Sequence, residues 1–142
     1  MTEPNQTPEE KEQEKNFLIE RIKRGEFSRK DFNMRGDDLR RADLSYADLT
    51  GVNLRGADLL GANLEGATLT EVNLSVSNLI CANLSGADLT GATLVGANLD
   101  GVTLKNATVF NTHFGQNPRM NENAKAALIE KGAIFEDTPD DS

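Results

Sequence analysis

The chain has one cysteine, one histidine, one tyrosine and no tryptophan among its 142 residues. A lone cysteine, Cys81, excludes an internal disulfide framework and suits a reducing cytosol. Around the lone histidine, His113, no nucleophile stands with a carboxylate to orient it, so catalysis is not expected. No apolar run is long enough to span a membrane. The opening stretch, MTEPNQTPEEKEQEK, has no cationic segment leading into an apolar one. A cytoplasmic protein without a secretory leader or membrane contact is the expectation. Bases are outnumbered, 15 against 23 acids, for a net charge of −8. Such a surface favours solubility and repels nucleic acid, so direct nucleic-acid binding is not expected. The D-x-D-x-D-G spacing of a calcium loop is missing, and no Lys-Ser or Lys-Thr follows the glycines as in a phosphate loop. No metal and no cofactor are expected.

What the sequence has instead is a period. Fourteen leucines occupy every fifth position from Leu39 to Leu104. Two residues ahead of each following centre, from Ala42 to Ala107, stand ten Ala, three Val and Ser77. Asp, Asn or Thr immediately precedes each leucine. On an α-helix, residues five apart are rotated by about 140°, which would scatter the leucines around the axis. On a straight strand every second leucine would face the wrong side. A chain with this repeat must therefore turn once per unit. Glycine two residues after the leucine, at 51, 56, 61, 66, 86, 91, 96 and 101, supplies the positive φ that the third residue of a type II turn needs. Stacked turns then pair backbone groups between layers and line the leucines up as a core, giving a solenoid.

The run ADLSYADLTGVNLRGADLLGANLEGATL and its continuation to Leu104 resemble the A-(D/N)-L-x-x units of pentapeptide-repeat proteins. That resemblance implies an all-β solenoid, a right-handed quadrilateral β-helix with four pentapeptides per coil. Centres from Leu39 to Phe114 would then make about four coils, a rod roughly 20 Å tall at the layer spacing of paired strands.

The domain reading runs along the chain as a disordered acidic tail at 1–7, a capping helix with lead-in at 8–36, the β-helix at 37–115, a capping helix with an extended segment at 116–136, and a disordered acidic tail at 137–142. The first helix spans about Thr7 to Arg24, with Leu18, Ile19 and Ile22 on one stripe and Gly25 ending it. Phe27 and Phe32 fall into the five-residue rhythm, and Met34 takes a centre position. The second helix runs from about Glu122 to Lys131, before an extended Ala133-Ile134-Phe135. This ending resembles those of short cyanobacterial and thylakoid-lumen pentapeptide proteins. The resemblance also implies that a rod end can form a homodimer, with Phe110 and Phe114 as the end-to-end contacts.

Candidate partner-binding residues come from breaks in the polar surface. With twenty residues per coil, Leu60 stacks on Ile80, and Val76, Cys81 and Val95 come around the adjoining corner, where glycine lapses at Glu71, Val76 and Cys81. One or two exposed aliphatics are ordinary on a soluble protein. Five apolar or soft side chains gathered on a polar surface mark a contact site. Two functions compete: a non-enzymatic scaffold that binds an unidentified protein, and an acidic DNA mimic that binds a type II topoisomerase such as gyrase. The second is a role implied by the family resemblance, and Arg40, Arg41 and Arg55 interrupt the acidity it needs.

Overall fold

Each leucine opens a turn. The Leu39 carbonyl accepts the Ala42 amide at 3.1 Å, and the same closure recurs from Leu44 to Ala47 and from Leu49 to Val52. The third residue of the turn has positive φ, whether it is glycine, as at Gly51 (74°), or another residue, as at Arg41 (59°) and Glu71 (60°). A left-handed non-glycine residue costs about 1–2 kcal/mol. Hydrogen bonds to the next coil hold it there: Arg41 N–H donates to the Leu60 carbonyl at 2.8 Å and Glu71 N–H to the Thr90 carbonyl at 2.9 Å.

The computed structural model describes residues 5–26 and 33–136. Phe27, Phe32, residues 1–4 and the tail at 137–142 lie outside the described residues. Between corners, each side of the coil forms a parallel bridge with the side beneath it. Asn33 pairs with Asn53, Asp38 with Asp58, Asp43 with Asn63 and Asp48 with Thr68, and the four ladders continue to His113, Asn98, Thr103 and Thr108. Register is therefore twenty residues, and four sides close one turn of the solenoid. Only one residue per side pairs, because the unit leaves so little extended chain between turns. The ladder starts at Asn33, ahead of the boundary expected at 37.

Inside, the leucines from Leu44 to Leu94 are completely buried, flanked by the small residues. Each contributes on the order of 1.5–3 kcal/mol relative to exposure. Ser77 replaces alanine inside without leaving its hydroxyl unpaired, since Oγ donates to the Leu74 carbonyl at 2.7 Å.

Helix α1, Pro8–Lys23, begins at a capping box: Thr7 Oγ1 accepts the Glu10 amide at 3.1 Å, and Glu10 Oε2 accepts the Thr7 amide at 2.9 Å. Its Ile19 and Ile22 join the core that holds Met34 and Leu39, whereas Phe17 stays exposed. Lys23 Nζ lies 3.5 Å from Asp43 Oδ2 of the first coil. At the other end β1, His113–Phe114, is followed by α2, Glu122–Glu130, and by β2, Ile134–Phe135, which pairs parallel with β1. Leu128 of α2 and Ala133 enter the same core.

Candidate functional site

The five candidate contact residues occupy two corners of one side of the rod. Leu60 and Ile80 are second residues of stacked turns, coupled through the Gly61 amide, which donates to the Ile80 carbonyl at 2.8 Å. Both are half-buried. Cys81 is the third residue of the Ile80 turn, so it shares that corner, whereas the sequence columns predict it around the adjoining one. Its thiol is exposed, and a Cβ added to Gly101 would stand 3.1 Å from Sγ. Val76 and Val95 form the other corner, where the Val76 amide donates to the Val95 carbonyl at 3.0 Å.

These corners do not merge. The outward residues Asp58 and Asn78 lie between them, and Asn78 Nδ2 donates to Asp58 Oδ1 at 3.0 Å. Val76 and Ile80 flank Asn78 by two residues each, one in the turn before it and one in the turn after it. The arrangement is two apolar edges with a polar strip between them.

Val76 is the anomalous member. It is β-branched, 51% exposed, and held at φ 49°. A branched residue in the left-handed region is a true outlier, and strain of this kind gathers at functional positions. Room for it comes from the next coil, where a Cβ on Gly96 would lie 2.9 Å from Val76 Cγ1. The same pairing holds at other corners: Arg41 lies over Gly61, Tyr46 over Gly66, Glu71 over Gly91 and Cys81 over Gly101. Each of these corner side chains stands over a glycine twenty residues on, and an added Cβ would crowd Tyr46, Val76 and Cys81 most. The columns of the sequence carry that signal beside the glycine's role in the turn.

The outward Asp and Asn residues have a defined task. Asp38, Asn53, Asp58, Asn73, Asn83 and Asp88 each accept the amide two residues ahead through Oδ1, at 3.0–3.2 Å. They satisfy the turn amide that the ladders leave over, and Asn serves as well as Asp. Carboxylates among them are also paired. Arg40 donates to both oxygens of Asp38 at 2.8 Å, and that hydrogen-bonded guanidinium holds the Asp38 carboxyl down to about 2. The Ser45 hydroxyl donates to Asp43 at 2.6 Å and lowers its pKa, while burial raises that of Asp37. Among the described residues no three His, Cys, Asp or Glu side chains converge as metal ligands would. No helix among them is long and apolar enough to cross a membrane.

At the far end, the two aromatics differ. Phe110 is 56% exposed and leans over Gly132. Phe114 is completely buried, with its ring stacked on Phe135 at 5.3 Å between centroids. It is a core residue covered by β2, and so it cannot serve as an end-to-end contact. Lys125 in turn caps the Phe135 ring at 5.2 Å. His113 faces outward, with Nδ1 in contact with Glu136 Oε2.

Comparison with known proteins agrees with this geometry. The family model for pentapeptide repeats matches in eight copies over residues 38–75, 69–106 and 77–116. The crystal structure of alr5209, a pentapeptide repeat protein from Nostoc PCC 7120, is 34% identical with a TM-score of 0.71, covering 85% of this chain and 94% of that one. The pentapeptide repeat protein Rfr23 from the cyanobacterium Cyanothece 51142 is 33% identical with a TM-score of 0.55, covering 73% of this chain and 57% of that one. No curated protein matches the sequence. With the period, the register of twenty and the matched residues together, the chain belongs to the pentapeptide-repeat family, whose members fold as right-handed β-helices.

Proposed function

We propose that this chain is a non-enzymatic interaction module: a β-helical rod of about four coils, flanked by a helix at each end, that presents one side to a partner protein. The observation that carries this reading is Val76, a branched side chain kept exposed at φ 49° on a corner that glycine would occupy without strain. With Val95 it makes one apolar edge, and Leu60, Ile80 and Cys81 make the other. A partner gripping this side would place apolar groups on both edges and donors on the Asp58–Asn78 strip. Placement in the cytoplasm goes with the reading, because Cys81 is exposed and unpaired.

The test is a pull-down from native extract using the intact chain and a Leu60→Asn/Ile80→Asn variant, with thermal melts to check folding. Loss of a partner that the parent retains supports the reading. Equal recovery with an equally stable fold rejects this side as the contact surface.

The DNA-mimic alternative needs unpaired negative charge along the rod. Here Asp38 pairs with Arg40, Asp43 with Lys23 and Asp100 with Arg119. The neighbouring ladder, Asn33, Asn53, Asn73, Thr93 and His113, contains no carboxylate. Neither feature favours a topoisomerase as the target, and a gyrase supercoiling assay with added protein is the corresponding check.

A further inference from the structure

The two ends of the rod are closed differently. At the first coil Leu39, Leu44 and Leu49 are buried, Ile19 and Ile22 of α1 share their core, and Lys15 Nζ donates to the edge carbonyl of Arg40 at 2.7 Å. At the last coil Leu99, Val102 and Leu104 remain only half-buried. Their backbone is open as well. One coil earlier, the Leu79, Cys81 and Leu84 amides donate to the carbonyls of Asn98, Asp100 and Thr103 at 2.8–2.9 Å. The corresponding amides of Leu99, Gly101 and Leu104, and the carbonyl of Val102, have no hydrogen-bond partner among the described residues.

On the preceding side the ladder does continue: the Leu94 amide donates to the His113 carbonyl, and Asn117 Nδ2 plugs the carbonyls of Leu94 and Ala97 at 2.8 and 2.9 Å. The open edge starts just past that plug. Helix α2 lines the other side of the gap, leaving a cavity of 390 Å³ with Met120, Ala124 and Leu128 opposite Leu99, Val102 and Leu104. Lys131, Arg119 and Asp100 also line it, Arg119 lying 3.2 Å from Asp100. The lining is thus net positive on a chain of charge −8.

We propose that this groove receives an extended, acidic segment of a partner protein, which adds to the open edge of the last coil as one further strand. An unpaired row of amides and carbonyls is a template for such addition. The lattice sets the chemistry of the segment. A small residue and an aliphatic one turn inward over Leu99 and Leu104, a polar residue turns outward, and an acid meets Lys131. Other occupants fit less well. A second copy would bring its own net −8, and its first-coil edge, the surface in matching register, lies against α1. The chain's own residues Asp137 to Ser142 offer no aliphatic side chain. The proposal rests on the interaction-module reading but uses none of its side-face residues.

The probe is a fluorescein-labelled peptide, EADLTGANLE, titrated with the full chain by anisotropy and followed by amide hydrogen exchange. The expected result is saturable binding with Kd between about 1 µM and 1 mM. The Leu99, Gly101 and Leu104 amides exchange fast in the free protein and slow on binding, while the Leu79 and Leu84 amides do not change. Ala127→Trp, at an exposed position of α2 lining the groove, weakens binding at least tenfold. Lys131→Glu does so independently if the tryptophan variant fails to fold. Leu60→Asn/Ile80→Asn binds the peptide like the parent, so failure of the side-face reading would not mimic failure here. No saturation by 1 mM, or binding that neither groove variant weakens, overturns the proposal. So does protection of these amides in the protein alone that rises with its concentration alongside a doubled mass, which would assign the groove to a second copy.

Discussion

Replacing Gly96 with alanine tests the corner geometry quantitatively. At Gly96, φ is 76° and the added Cβ would stand 2.9 Å from Val76 Cγ1. Gly56 is the control one coil above Val76, with φ 70° and nothing within 4 Å of the added atom. For Gly56→Ala the left-handed cost of about 1–2 kcal/mol is offset by about 0.4–1 kcal/mol from a stiffer unfolded chain. The net loss is about 1 kcal/mol. Gly96→Ala carries the same backbone cost and adds a clash with a branched side chain pinned by its own backbone, about 1–3 kcal/mol more. Its total is then about 2–4 kcal/mol. In a Val76→Gly background the clash is gone, and Gly96→Ala should again cost about 1 kcal/mol, a coupling of about 1–3 kcal/mol between residues twenty apart in sequence. Urea unfolding of the four members of this cycle, with Gly56→Ala alongside, gives each value. Equal losses for Gly56→Ala and Gly96→Ala, or a coupling below about 0.5 kcal/mol, would refute the stacking of these two corners.

Leu64→Ala, deep in the core, should cost about 2–5 kcal/mol, whereas Leu104→Ala at the half-buried edge should cost clearly less; equal losses in urea unfolding would mean that the last coil is covered after all. Asn73 Oδ1 accepts from the Ser75 amide at 3.0 Å and the Ser75 hydroxyl at 2.6 Å, so Asn73→Ala should lower stability by about 1 kcal/mol while Asn73→Asp stays within about 0.5 kcal/mol, as melts of both variants can show. Asp38 titrates near 2 when folded against an ordinary 3.8, so its contribution is complete above the ordinary value and is lost as pH falls through the folded one. Both partners are 55% exposed, which keeps the effect below about 1 kcal/mol, and Asp38→Asn should flatten the fall in melting temperature between about pH 5 and pH 2. An unchanged slope would mean the Arg40 pair is absent in solution.

The core was legible because one period governs it: Leu39 through Leu104 and the small residues beside them could face inward only if the chain turned every five residues. Ser77 was legible as an inside residue for the same reason, its hydroxyl finding the Leu74 carbonyl. The helices came from separate signals, an aliphatic stripe ending at Gly25 and a short run ending at Gly132. The site was harder to read. Separate twenty-residue columns for the second and third turn residues hide that Ile80 and Cys81 belong to one turn and so to one corner. The bonds of Asn78 to the Ile80 amide and to Asp58 are fixed only once turn and register exist together. Phe114 is a centre of the repeat, and the stacked Phe135 ring removes it from the exposed rod end. The step from His113 to Ile134 is one residue longer than the period, so no repeat count could place Phe135 over it. The open amides of Leu99 and Leu104 depend on where stacking stops, which no single unit of the sequence encodes.

The register of twenty is what every surface assignment depends on, and a paired-cysteine experiment measures it most directly. In a Cys81→Ala background, Thr68→Cys with Asp88→Cys places two thiols on directly bridged positions, whereas Thr68→Cys with Thr93→Cys places them on different sides of the rod. A short thiol-bridging reagent should link the first pair within the monomer, rapidly and nearly completely, and leave the second unlinked. Equal linking of the two pairs, or efficient linking only of the second, would contradict the stacked four-sided coil.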